Sequence, residues 1–169
     1  SSGLVEGNTY YRTQGAAILV VADIHESWCE GTGVDGLVVK NNTFEECNVS
    51  DWTPLINIAA LNKGSTVNAA VFKNLTFENN LFKNFPSQPF GVQSSSDVII
   101  RGNRFVNDKP HGSNNPKRGM INVQNAKNVQ IIGNTWEKSA YMSFGKQEDC
   151  VDIIGAGLNT VIKDNIIRQ

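Results

Sequence analysis

The densest group of chemically capable side chains is Asp23-Ile24-His25-Glu26-Ser27-Trp28-Cys29-Glu30-Gly31. Three carboxylates, one histidine and one tryptophan within eight residues suit a sugar ligand. An indole face stacks on the C–H face of a pyranose, and carboxylates accept hydrogen bonds from neighbouring hydroxyls. A second acid-and-tryptophan group follows, with Glu45-Glu46 and then Asp51-Trp52. Hydrolysis of a glycosidic bond needs two carboxyl groups, about 5 Å apart for retention or roughly 6.5–9.5 Å for inversion. The catalytic candidates are Asp23, Glu30 and Glu46. Substrate contact is expected from Asp23, Glu26, Trp28, Glu30 and Trp52. The competing reading of each acid is a solvated loop carboxylate.

Elsewhere the chemistry thins out. His111, in Lys109-Pro110-His111-Gly112, reads as a solvent-exposed loop histidine, and Lys117-Arg118 as a solvated basic pair able to meet an anionic sugar. Gln147-Glu148-Asp149 reads as a solvated acidic turn. No Asp-x-Asp-x-Asp calcium string, phosphate-cradling glycine loop, nucleophile elbow or paired metal-binding histidine occurs, so no metal or cofactor is expected. Cys29, Cys47 and Cys150 lack zinc-like spacing. Cys47 reads as a small buried hydrophobe, with a Cys29–Cys47 disulfide as the alternative. The glycosylation strings at Asn41, Asn48 and Asn74 are what asparagine-rich turns produce by chance.

What must position the acids is a repeat. Six times an apolar pair two residues apart is followed three residues later by Asn, and two after that by an aromatic residue or Ile. The copies are Gly3-Val5-Asn8-Tyr10, Leu37-Val39-Asn42-Phe44, Leu75-Phe77-Asn80-Phe82, Val98-Ile100-Asn103-Phe105, Val129-Ile131-Asn134-Trp136 and Thr160-Ile162-Asn165-Ile167. Period-two apolar residues mark a strand with one buried face. The Asn, often preceded by Gly or Asn, reads as a turn residue tolerant of left-handed backbone angles. Steps of 34, 38, 23, 31 and 31 residues between these asparagines indicate coils that stack while their loops vary. The expected fold is all-β, a right-handed parallel β-helix of about six coils, pectin-lyase-like, forming one domain over residues 1–169.

Each coil is expected to hold two main strands. The second strands are 17–21, 55–58, 90–92 and 120–123, with 141–144 as a weaker fifth. Stacked, the aromatic positions would form one internal ladder and the asparagines another. Insertions at about 23–34, 61–70, 107–118 and 145–158 are rich in Gly, Asn, Pro and Lys, as loops are. Function concentrates on such loops. Coils lie about 4.8 Å apart, so acids from neighbouring coils can meet on one wall.

A net charge of −1 with 18% charged residues gives no nucleic-acid or membrane-surface footprint. No apolar run approaches the roughly 20 residues of a membrane span. No basic-then-apolar leader is present. The chain starts inside a repeat and stops just after the sixth copy, without an amphipathic helix to cap either end, so a piece of a longer β-helix is expected.

Residues 15–60 resemble one family. The residues that carry the resemblance are Gly15-Ala16-Ala17-Ile18-Leu19-Val20, Asp23, Trp28-Cys29-Glu30-Gly31, Val34, Leu37-Val38-Val39, Asn42-Thr43-Phe44, Cys47 and Pro54-Leu55-Ile56-Asn57-Ile58. This run is similar to the bacterial α-1,3-galactosidase-like glycoside hydrolases, which include enzymes removing the terminal galactose of blood group B. The resemblance implies metal-free, inverting hydrolysis of a terminal α-1,3-linked galactoside by a secreted, periplasmic or cell-surface bacterial protein. Its partner would be an oligosaccharide or polysaccharide. It matches Asp23, Trp28 and Glu30 residue by residue and implies that they line the rim of the site, with catalytic carboxylates largely upstream of Ser1. His25-Glu26-Ser27 and Cys29 depart from the family pattern. Two other classes compete: a non-catalytic glycan-binding or structural β-helix module, and a polysaccharide lyase. The lyase needs a basic residue near the acidic loop, and Lys and Arg do not cluster there.

Overall fold

The computed structural model describes residues 2–25, 28–30, 33–86, 88–110, 121–154 and 159–168, and of residues 25, 28–30 and 154 the backbone. The chain coils through three parallel sheets. Sheet A stacks β1 (Gly3–Glu6), β5 (Leu37–Lys40), β9 (Phe72–Glu78), β12 (Ser95–Arg101), β15 (Lys127–Ile132) and β18 (Val161–Lys163). Sheet B stacks β2 (Thr9–Tyr11), β6 (Thr43–Glu45), β10 (Leu81–Lys83), β13 (Arg104–Val106), β16 (Thr135–Glu137) and β19 (Ile166–Arg168). Sheet C contains β3 (Ile18–His25), β7 (Ile56–Asn62), β11 (Phe90–Gln93), β14 (Ile121–Gln124) and β17 (Val151–Ile154). Two short strands attach to it antiparallel, β4 (Trp28–Glu30) on β3 and β8 (Ser65–Thr66) on β7. This is a parallel β-helix. Among the described residues no helix is long and apolar enough to cross a membrane.

The first five coils therefore hold three strands each rather than two, and the sixth contributes β18 and β19. The aromatic position of the repeat is the centre of its own strand, only three residues long in every coil. Three residues are too few to show an alternation of their own, which hid sheet B inside the turn. Its central residues pair in register from Tyr10 through Phe44, Phe82, Phe105 and Trp136 to Ile167. Tyr10, Phe44, Phe82, Phe105 and Trp136 pile in one column, with centroids 4.9, 4.9, 5.0 and 5.1 Å apart and planes within 14°. Phe90 meets Phe82 and Phe105 of this column edge to face, and Phe77 meets Phe90 in the same way, giving the core the T-shaped contacts that aromatic quadrupoles favour.

The corner between sheets A and B is the most regular part of the molecule. It has two residues in every coil: 7–8, 41–42, 79–80, 102–103, 133–134 and 164–165. The first of each pair takes left-handed angles, with φ from 54° at Asn79 to 67° at Gly7. The repeat asparagine, expected to carry that conformation, stands one position later and has a different task. Its Oδ1 accepts both the backbone N–H and the side-chain Nδ2 of the asparagine one coil earlier, at 2.9–3.1 Å, from Asn8 through Asn165. The second amide hydrogen goes to a strand carbonyl of the coil before, as Asn103 does to Phe77 at 3.0 Å. Asn42, Asn80, Asn103 and Asn134 are buried, and this ladder satisfies their amides.

The last rung differs. Asn165 donates its N–H and its Nδ2–H to Oε1 of Gln147, at 3.2 and 3.0 Å. Gln147 opens a single 3-10 turn, Gln147–Cys150, and supplies the acceptor that a seventh asparagine would. Within the stretch 147–149, read as a solvated acidic turn, Glu148 and Asp149 are exposed while Gln147 terminates the ladder. The fifth strand of sheet C also lies elsewhere than expected. Val151–Ile154 pairs with β14 (Val123 opposite Ile153), whereas 141–144 turns back on itself through Ser139 N–H to Met142 O at 2.8 Å. Met142 and Phe144 are buried from this loop, and their spacing imitates a strand. The insertions at 23–34 and 61–70 likewise contain hairpins, β3–β4 and β7–β8, rather than loop alone.

Candidate functional site

Along β3, Ala22 is buried and the strand alternates, so Asp23 faces the outside of sheet C. Oδ1 of Asp23 is nevertheless buried and has no hydrogen-bond partner among the described residues. A buried carboxylate oxygen is ordinarily satisfied by a neighbouring donor or an ordered water. The chain then reverses, and the antiparallel register sets Asp23 opposite Glu30, Ile24 opposite Cys29 and His25 opposite Trp28. Directly opposed residues in such a pair have Cβ atoms about 5 Å apart. A hairpin at the edge strand of sheet C thus gathers Asp23, Glu30, His25 and Trp28 from the acidic run. Glu26 lies outside the described residues, as do His111, Lys117 and Arg118.

The other two candidates stand at a different corner. Glu46 follows β6 in the turn leaving sheet B, with a left-handed φ of 53°. Its side chain is largely buried and is gripped by two cations, Arg12 at 3.9 Å and Lys109 in a tighter contact. The same carboxylate raises the Lys109 ammonium above its usual pKa through that hydrogen bond. An acid so engaged holds three turns together. Trp52 belongs to a turn docked on the first coil: Val49 and Ser50 N–H donate to the Thr13 and Gln14 carbonyls, each at 3.0 Å. Its indole lies over Gly15, where a Cβ would sit 3.3 Å from Nε1, and 73% of the residue remains exposed. Gly15 is thus the bed on which an open aromatic platform rests.

Trp52 and Asp23 occupy opposite ends of sheet C. Asp23 pairs with Leu61, five residues beyond Ile56 at the start of β7, which at about 3.3 Å per residue is roughly 16 Å along the strand. The structure therefore brings Asp23 and Glu30 together and leaves Glu46 and Trp52 apart from them. The signal for the first pairing was the span of the acidic run, short enough for a hairpin. Between the two ends the outer face of sheet C carries Asn57, Gly91 and Asn122 in one row, and Oδ1 of Asn122 is also buried with no partner among the described residues. Asn57 and Asn122 sit at outward positions inside apolar strands, a pattern that pointed to them and was passed over. The described residues contain no group of three or more His, Cys, Asp or Glu able to hold a metal ion. Cys47 is a buried thiol directed at the carbonyl of Tyr10, 3.4 Å away.

No family model matches the chain. It is similar to α-1,3-galactosidase A of Bacteroides fragilis strain YCH46, 33% identical over 117 residues that make up 67% of this chain and 19% of that protein. The α-1,3-galactosidase A of a second B. fragilis strain is 32% identical over 138 residues, 79% of this chain and 22% of the relative. That of Bacteroides thetaiotaomicron is 40% identical over 79 residues, 47% and 13% of the two chains. The sequence likeness takes in most of the coils described above. The chain is thus a parallel β-helix related to the bacterial α-1,3-galactosidase-like proteins, spanning about one-fifth of the length of the two B. fragilis relatives it matches.

Proposed function

We propose that this β-helix forms part of a glycoside hydrolase that removes a terminal α-1,3-linked galactose with inversion, at the edge of sheet C marked by the β3–β4 hairpin. The observation that carries the reading is the register of Asp23 against Glu30. Opposed positions on one hairpin set the Cβ atoms of two acids about 5 Å apart, close enough for both side chains to reach one sugar. In an inverting cleavage one carboxyl protonates the leaving oxygen while the other deprotonates water on the opposite face of the ring. Asp23 and Glu30 are this chain's candidates for these tasks, with carboxylates from the rest of the protein as their partners where the two line only the rim of the site. Trp28 and Glu26 contact the same sugar, and Trp52, at the far end of sheet C, stacks on a more distant unit of the glycan. The names of the relatives support galactose as that sugar. A secreted, periplasmic or cell-surface setting suits a protein that meets such glycans.

The test is turnover of an α-1,3-linked digalactoside followed by proton NMR. β-Galactose is expected as the first-formed anomer. Asp23→Asn and Glu30→Gln should each lower kcat/KM by about a hundredfold or more, the usual weight of an acid or base, with circular dichroism unchanged. Turnover equal to that of the unmodified chain in both variants would overturn the assignment. Binding that shifts the resonances of residues 18–30 without any turnover would replace it with a glycan-binding module.

A further inference from the structure

A groove of about 210 Å³ runs over the outside of sheet A, lined by Asn74, Thr76, Asp97, Ile99, Asn128 and Gln130. It is remote from the β3–β4 hairpin in sequence and built on other strands. Its origin is a kink repeated in register. Gly36, Asn74, Asp97, Asn128 and Asn159 each take left-handed angles, with φ between 53° and 86°. Each stands two residues before a paired position: Val38, Thr76, Ile99, Gln130 and Val161. The kinks give the outer face its concavity, and the three central coils line it with two rows of side chains.

We propose that this groove is a binding subsite for one unit of a neutral oligosaccharide. Four of the six residues carry an amide or a carboxylate and a fifth a hydroxyl, at the spacing of adjacent coils. A hexose presents hydroxyls that both donate and accept hydrogen bonds. The side chains are held in place before any ligand arrives. Asn128 Nδ2 donates to Asp97 Oδ1 at 2.9 Å, Asn159 Nδ2 to Asn128 Oδ1 at 3.3 Å, and Asn74 Nδ2 to Asp35 Oδ1 at 2.6 Å. Groups already ordered in this way lose little further freedom on binding. Ile99 in the middle offers methyl groups to the C–H face of a ring.

The groove's charge supports a binding role and a neutral ligand. Hydrogen bonds from Asn128 and then Ser96, with Lys127 and Lys73 nearby, hold the Asp97 carboxyl below the usual range. Asp97 is therefore an ionised acceptor rather than a proton donor. The Lys127 and Lys73 ammonium groups near Asp97 offset its attraction for a cation, which argues against calcium. Asp97 and Asp35 in turn balance the two lysines, so an anionic sugar gains nothing over a neutral one. The inference does not depend on Asp23 or Glu30.

The experiment uses the isotope-labelled chain titrated with α-galactosyl-1,3-galactose and, separately, with calcium chloride. Saturable shifts are expected at Asn74, Ile99, Asn128 and Gln130 with the disaccharide only. Asp97→Gly, which keeps the left-handed backbone, should weaken the disaccharide at least tenfold without altering any turnover that depends on Asp23. Ile99→Glu, at an outward position, should do the same and serves if the first variant misfolds. Shifts with calcium and not with the sugar, unchanged affinity in both variants, or sugar shifts confined to other surfaces would each overturn the proposal.

Discussion

At the scale of single residues, the ladder asparagines carry much of the fold's specificity. Replacing Asn103 removes the acceptor of Asn80 N–H and Nδ2–H together with the donors to Phe77 O and Asn134 Oδ1. Each buried polar group left unmatched costs about 1–3 kcal/mol. Asn103→Ala should therefore lower stability by about 2–4 kcal/mol in urea unfolding, with the slope unchanged. Gln147 permits a sharper distinction, because both of its contacts with Asn165 use only its oxygen. Gln147→Ala should cost about 1–2 kcal/mol and speed exchange of the Asn165 amide, whereas Gln147→Glu keeps the acceptor and should retain protection. Cys150 sets a pH effect. Burial first, then Asp149 and Glu148, push its thiol from 9.0 up to about 12. Below pH 9 both folded and unfolded thiols keep the proton. From pH 9 to about 12 the unfolded thiol ionises first, so this group's contribution to stability is lost across that window. Titrating unfolding between pH 8 and 12 in the protein and in Cys150→Ala should show a smaller alkaline loss in the variant.

At the scale of elements, legibility followed length and repetition. The Asn position and the aromatic two residues after it stood out because six copies agree. The sheet those aromatics form did not, since its strands are three residues long and lie beside a turn. The left-handed residue was misplaced by one, because Asn serves equally as a turn former and as a ladder rung, and only coordinates separate the two roles. Val151–Ile154 was missed because 141–144 has the better apolar alternation yet buries its side chains from a loop. Among the site residues, Asp23 and Glu30 were visible as a local acidic run, while the separation of Glu46 and Trp52 depends on which corner each insertion leaves. The corner itself yields a test. Gly102 and Gly133 both sit at left-handed φ, but a Cβ on Gly102 would come 2.5 Å from Asn79 Oδ1, whereas one on Gly133 meets nothing within 4 Å. Both Gly133→Asn and Gly102→Asn should leave the melting temperature within a few degrees in parallel thermal melts, because Asn79 Oδ1 ends an exposed side chain that can rotate aside.

At the scale of the whole molecule, stability is graded along the axis. Val5, Tyr10, Ile18 and Val20 in the first coil are only partly buried, while Val39, Phe44, Ile58, Phe77, Phe82, Phe105 and Val129 in the interior coils are fully so. Burial of this kind resists opening, so within these 169 residues the partly buried coil should open before the fully buried ones. Native-state hydrogen exchange should find β1 and β2 fastest and β9, β12 and β13 slowest, and uniform protection along the axis would contradict this.

The two-residue corner between sheets A and B has a consequence for how such a chain can change. Its length is constant, as is that of the sheet B strands, while differences in coil size fall in the strands of sheets A and C and at the two bends beside sheet C. One edge behaves as a ruler and the remaining two as margins. Segments can lengthen, shorten or be exchanged along those margins without disturbing the spine's spacing, so new recognition walls accumulate around a single face while the other edge stays bare.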